Sequence, residues 1–312
     1  MARAEDRELF HAADDLALFL HDLAAAEQLL TLGVAGDRVA AFRDSSYLRL
    51  GMLKVGQGRW RAASADLART AGPGGRLARA FYASLPFVKA APQELERIQS
   101  DLEHWNPIAE PPPAGSALEA SLAPHLRQWL LGLVALRAGS PSRALERALA
   151  IERMTSPPGG VAVVRSMVRT LRAGAAGQQN RAAEALRLLE PVRGEVPASL
   201  LRVSFYGEEP ARYLRAELLQ QLGRDREALD WLRYGFADTP AELAYLAPVH
   251  FRQGEIYERL GERAKAAEHY ELMLRLWEHC DPELQPVVGD ARTRLARMLA
   301  EPRPPDAAPA RP

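Results

Sequence analysis

The chain has 312 residues, and its 40 basic and 40 acidic side chains leave no formal net charge. Nucleic-acid-binding domains usually carry a basic excess, so this balance argues against nucleic acid as the direct partner, although it leaves a local basic stripe open. The single cysteine, Cys280, excludes an intrachain disulfide. No stretch approaches the ~20 consecutive apolar residues that cross a bilayer, so we expect no membrane segment and a cytoplasmic protein.

The first thirty residues predict an amphipathic helix, because charged residues such as Asp14 and Asp15 interrupt the apolar run. A signal peptide would keep that run continuous. Residues 47–67 then read YLRLGMLKVGQGRWRAASADL, which predicts a helix, a turn and a second helix. Gly51 and Ala63 are the small residues that let these two helices cross closely.

A more divergent pair follows, in which apolar residues at three-to-four spacing predict helices over 75–90 and 92–105. The proline-rich stretch 106–116 (NPIAEPPPAGS) is typical of a loop that stops a helix. We therefore divide the chain into an N-terminal helical sub-array, 1–105, and a C-terminal array, 117–300.

The C-terminal array contains the clearest repeats. Residues 213–240 and 250–277 each predict a helical hairpin, with a Leu-Gly pair ending the first helix. A final helix over 281–300 would cap the apolar face of the last hairpin, and the tail 301–312 is expected to be disordered. The residues that define the repeats across the chain are Gly51, Ala63, Gly132, Ala144, Ala216, Ala228, Gly254, Tyr257, Ala266 and Tyr270.

With small, large and aromatic residues at these spacings, the chain resembles the tetratricopeptide-repeat superfamily. The resemblance is specific over 209–278, weaker elsewhere and poor over 72–110. It is similar in particular to the C-terminal arrays of large bacterial regulators, and the few lysines fit a GC-rich bacterial genome. It implies an all-α, right-handed superhelical solenoid of about six antiparallel hairpins with a C-terminal capping helix.

The resemblance also implies a concave groove, lined by the first helix of each hairpin, that binds another protein or a peptide. Recurrent groove positions fall on Trp129, Met167, Tyr213 and Phe251, and one turn further along on Glu217 and Glu255. Aromatic side chains anchor partners well, and the two acids suit a peptide with basic and apolar residues. In the alternative interpretation, these side chains pack against the neighbouring hairpin or the capping helix.

The sequence offers no clear catalytic or metal-binding motif. None of the seven histidines forms an i, i+4 pair with another, and His279 beside Cys280 is the only local cluster. Gly56 and Gly58 do not follow a strand, as glycines of a phosphate-binding loop would, and are interpreted as turn residues. We therefore expect no metal, no cofactor and no enzymatic activity.

Two functional hypotheses follow from these patterns. The first is a non-catalytic protein-interaction module for signalling or scaffolding. The second is the regulatory or sensor part of a bacterial signalling or transcription-regulatory system, with a kinase, cyclase or winged-helix output domain. An uncatalogued helical enzyme would require a buried, convergent cluster of titratable side chains.

Overall fold

The computed structural model describes residues 4–36, 38–111, 117–190, 208–233, 236 and 239–300, with side chains from residue 8 onward. This part of the chain is all-helical and contains no β-strand. Its helices are α1 (Ala4–Leu18), α2 (Leu23–Leu32), α3 (Ala40–Gly56), α4 (Trp60–Arg69), α5 (Pro73–Ser84), α6 (Pro92–His104), α7 (Ala117–Arg137), α8 (Pro141–Arg153), α9 (Val161–Gln178), α10 (Ala182–Leu189), α11 (Glu209–Gln221), α12 (Asp225–Leu232), α13 (Leu243–Arg259), α14 (Arg263–Leu276) and α15 (Gln285–Ala300). Single 3-10 turns, Pro240–Glu242 and Pro282–Leu284, precede α13 and α15.

Helices α1 to α14 pack as seven consecutive hairpins, and α15 covers α14. Where two packed helices are joined by only a few residues they run antiparallel. Gly223 and Gly261 have φ values of 71° and 75° in the turns after α11 and α13, as their Leu-Gly pairs predicted. The turn after α9 uses a different residue: Gly177 lies inside the helix, and Asn180, with φ of 60°, takes the left-handed position.

All ten repeat-defining residues are buried. The small size of the glycines and alanines among them is what permits the helices to approach. An added Cβ at Gly254 would lie 2.7 Å from the ring of Tyr270 on the partner helix, and one at Gly51 would lie 2.5 Å from Leu67. The predicted array of helical hairpins is therefore confirmed, with seven hairpins in place of about six.

The first helices of the hairpins form an inner layer that closes on itself. Helices α3, α5, α7, α9 and α11 pack in chain order, and α13 packs against α3. Between α11 and α13 the rings of Tyr213 and Tyr245 lie 5.7 Å apart. One apolar core runs through all of these helices. The N-terminal and C-terminal parts of the chain are thus in direct contact.

The closure contact is formed by Gly56 and Gly58, at the end of α3, against residues 277–284. Trp277 Nε1 donates to the carbonyl oxygen of Gly56 at 3.2 Å, and the Asp281 amide donates to that of Gly58 at 3.0 Å. Gly58 has a φ of 71°, and an added Cβ would lie 2.8 Å from Cβ of Cys280. Gly58 is a turn residue, as expected, and it is also the point where the two ends of the array meet.

The predicted helix over 75–90 is too long. Helix α5 ends at Ser84, because a residue before proline disfavours the helical conformation and Leu85 precedes Pro86. The segment that follows, residues 85–91, crosses the inner face of the array. Phe87 places its ring 5.4 Å from that of Tyr213 and 5.2 Å from that of Tyr245. The most divergent repeat therefore fills much of the concave surface that an open solenoid would leave accessible.

Helix α15 occupies the expected capping position, with Val288 and Ala291 buried. Residues 112–116 of the proline-rich loop and the tail 301–312 lie outside the described residues. No helix in the described ranges has the length and hydropathy needed to span a membrane.

Candidate functional site

Two adjacent cavities remain on the inner face of the array, and Pro86, Tyr213 and Glu217 line both of them. The larger measures approximately 470 Å³ and is bounded by the end of α5 and by α7, α9, α11 and α13. The smaller measures approximately 160 Å³ and is bounded by residues 86–89, α11, α13 and the start of α15. We call the two together the inner recess. Its volume is within the range of sites that enclose a small ligand or the anchoring side chains of a partner.

The walls of the inner recess are mainly apolar. Leu85, Leu133, Leu136 and Leu218 line the larger cavity. Helix α9 contributes Gly177, where an added Cβ would meet only Leu218 and Leu214, at 3.6 and 4.0 Å. The absence of a side chain at Gly177 therefore helps to leave the cavity empty, and a larger residue there would extend into it.

The structure separates the six predicted groove residues into two groups. Trp129 and Met167 are 1% and 0% exposed and belong to the core, and the Trp129 ring stacks on that of Phe81 at 6.3 Å. Neither residue lines the inner recess. These two side chains therefore pack against neighbouring helices, as in the alternative interpretation.

The other four predicted residues lie together. Tyr213 and Glu217 line both cavities, and Phe251 lines the smaller one. Tyr213 is only 4% exposed, so it acts as a wall of the recess and not as a free anchor. Glu255 lies one turn beyond Phe251 and reaches the recess only through Arg252.

Arg252 is the residue that the sequence patterns missed. Its Nη2 lies 3.1 Å from Oε1 of Glu217 and its Nη1 lies 2.9 Å from Oε2 of Glu255. Burial raises the pKa of Glu217, and the nearby charge of Arg252 offsets part of this increase. Burial also opposes the charge of Arg252, but the surrounding acids and Tyr213 raise its pKa above the ordinary value. The guanidinium of Arg252 thus forms ion pairs with both Glu217 and Glu255, the two acids from which the sequence predicts a basic peptide.

Two other cations of the inner recess have no such partner. Arg137 donates from Nη2 to the carbonyl oxygen of Val88 at 2.7 Å, but it forms no ion pair with the described residues, and its Nε is buried without a hydrogen bond. Burial lowers the pKa of Arg137. Lys89 is exposed at the edge of the smaller cavity, and it too forms no ion pair within the described ranges. The uncompensated charge of the recess is therefore positive.

A histidine pair lies away from the inner recess. The Nδ1 atoms of His250 on α13 and His269 on α14 are 3.0 Å apart, and the ring of Tyr257 stacks on that of His269 at 5.3 Å. Burial, followed by the charge of His269, lowers the pKa of His250 to about 4. The spacing of 19 residues follows from hairpin pairing, so a search for i, i+4 pairs could not find it. Within the described residues, no group of three or more His, Cys, Asp or Glu could hold a metal ion.

The other chemical candidate, Cys280, is buried in the closure contact. Its Sγ accepts a hydrogen bond from Gln285 Nε2 at 3.4 Å, and burial raises the pKa of the thiol. A thiol becomes nucleophilic when its pKa is lowered, so this environment is that of a structural cysteine.

Helix order, hairpin pairing and the buried small residues define a tetratricopeptide-like helical array with a closed inner layer. A solved tetratricopeptide repeat protein from Parabacteroides merdae is similar to the chain at 16% sequence identity and a TM-score of 0.43. The match covers 95% of this chain and 100% of that one. No protein-family profile and no curated protein matches the sequence.

Proposed function

We propose that this protein is a non-catalytic interaction module that binds a segment of a partner protein in the inner recess. The observation that carries the proposal is the convergence of Tyr213, Glu217 and Phe251, three of the predicted groove residues, on an unfilled recess at the inner face of the array. An apolar recess with a few polar groups suits one or two anchoring side chains of a peptide.

Signalling and scaffolding are both compatible with this proposal. The hypothesis that the array regulates a kinase, cyclase or winged-helix domain rests on the sequence resemblance alone. The buried acids do not favour an enzyme, because Glu217 and Glu255 are both held by Arg252. This pairing is the arrangement of an ion-pair network that stabilises the wall of a binding site.

The test is selection of binders from a displayed library of random twelve-residue peptides, followed by affinity measurement for the enriched sequences. An added Cβ at Gly177 makes only ordinary van der Waals contacts, so Gly177→Leu should extend a side chain into the larger cavity and weaken binding at least about tenfold. Gly289→Leu is the matched control, because Gly289 lies in α15 and an added Cβ there meets no atom within 4 Å. Failure to enrich any peptide, or equal binding by the Gly177→Leu variant, would contradict the proposal.

The substitution Tyr213→Ala is less suitable for this test. Tyr213 packs against Phe87 and Tyr245, and deletion of a buried aromatic ring costs ~3–5 kcal/mol of stability. A loss of binding in that variant could not be separated from a loss of structure.

A further inference from the structure

Cationic side chains outnumber acidic ones in the lining of the inner recess. Arg137, Lys89 and Arg252 line its two cavities, against the single acid Glu217. Arg252 is paired with Glu217 and with Glu255 behind it. Arg137 and Lys89 remain without an ion-pair partner among the described residues.

The three lysines of the chain show how unusual this is. Lys54 is bonded to Asp66, and Lys265 is bonded to Glu262 at 2.6 Å. Lys89 alone makes no such bond in the described ranges, although its neighbours on the same segment, Phe87 and Val88, are firmly packed. Its backbone is therefore held in place while its ammonium group stays available beside the smaller cavity.

Arg137 is the cation that lines the larger cavity. Its side chain lies against apolar walls that include Leu133 and Leu136, where an unpaired charge is costly. A carboxylate entering the cavity could pair with the guanidinium in two-pronged geometry, which is the strong form of this interaction. Tyr245 lines the same cavity, and its buried hydroxyl has no hydrogen-bond partner in the described residues. An incoming oxygen would give this hydroxyl an acceptor.

We propose that the partner segment is acidic and apolar, with at least one Asp or Glu adjacent to a large aliphatic or aromatic side chain. The apolar side chain enters the larger cavity and the carboxylates pair with Arg137 and Lys89. This inference rests on the proposed function and reverses the charge expected of the peptide from Glu217 and Glu255, since Arg252 pairs with both of those acids and Arg294 also lies 4.0 Å from Glu255.

The experiment uses the full chain and the same twelve-residue peptide library. We expect the enriched sequences to contain Asp or Glu beside Leu, Phe, Tyr or Trp more often than the starting library does. Affinity should fall at least about tenfold in Arg137→Gln and in Lys89→Glu, and it should weaken as salt is raised. Lys89→Glu keeps the test decisive if Arg137→Gln fails to fold, because Lys89 is exposed. Lys265→Glu is the matched control, because it reverses the charge of a lysine outside the recess and should leave affinity unchanged.

The outcomes separate the two proposals. Enrichment of basic peptides that lose binding in Gly177→Leu would overturn the charge assignment and leave the proposed function standing. Acidic peptides that bind Lys89→Glu and Arg137→Gln as tightly as the unmodified chain would also overturn the assignment. No enrichment at all would overturn both.

Discussion

Replacement of Gly58 by alanine should weaken the closure contact that joins the two ends of the array. Two effects contribute. The φ of 71° costs an L-residue ~1–2 kcal/mol. The new methyl group would also lie 2.8 Å from Cys280 Cβ and 2.9 Å from Leu284 Cδ1, and overpacking of this kind typically costs ~1–3 kcal/mol. The expected loss in free energy of unfolding is therefore ~2–5 kcal/mol.

Gly261→Ala is the control that isolates the contact. Gly261 has nearly the same backbone conformation, with a φ of 75°, but an added Cβ there meets no atom within 4 Å. This variant should lose only the backbone contribution of ~1–2 kcal/mol. Urea unfolding followed by circular dichroism gives both values. Equal losses in the two variants would refute the inference that Gly58 seals the array against residues 277–284.

Two further predictions concern the hairpin contacts and the histidine pair. Gly254→Ala drives a methyl group toward the Tyr270 ring and should lower the free energy of unfolding in urea by ~1–3 kcal/mol. The control Gly289→Ala should be neutral or should stabilise the protein by up to ~1 kcal/mol. Similar values for the two variants would contradict the role of Gly254 in the close helix crossing. Because the folded pKa of His250 is lowered from 6.5 to about 4, its contribution to stability is fully present above pH 6.5 and is lost as pH falls toward 4, by up to ~3 kcal/mol. His250→Gln should reduce the pH dependence of the unfolding midpoint between pH 7.5 and 5. If the midpoints of the variant and the unmodified chain change with pH in parallel, the pair of His250 with His269 does not cause the dependence.

The small residues at the helix crossings could be predicted because their cause is local. A glycine or alanine recurring at a fixed spacing marks a position where a neighbouring helix approaches, and Gly254 against Tyr270 is such a contact. The glycines at the ends of α11 and α13 were predictable for a similar reason, since the left-handed turn has a short sequence signature.

The path of residues 85–91 was harder to predict, because the apolar spacing of α5 continues smoothly through Leu85. Only Pro86 signals the break, and a single proline does not say where the chain goes afterwards. Phe87 contacts Tyr213 and Tyr245, which lie more than 120 residues away in the sequence, so its position depends on the assembled inner layer.

The pairing of the two acids in the candidate site could not be predicted for a related reason. Glu217 and Glu255 look like available acids when the sequence is taken one helix at a time. In the folded chain Arg252 bonds both, through one contact within α13 and one across to α11. The closure between Gly58 and Cys280 is equally a property of the whole array, because 222 residues separate the two positions.

A calorimetric titration tests the proposed binding of an acidic, apolar partner segment in the inner recess. The tightest selected acidic peptide is titrated by calorimetry into the unmodified chain, Gly177→Leu and Gly289→Leu. We expect one peptide per chain, a loss of at least about tenfold in affinity for Gly177→Leu, and no change for Gly289→Leu. Undiminished binding to Gly177→Leu would place the peptide elsewhere on the protein and contradict binding in the inner recess.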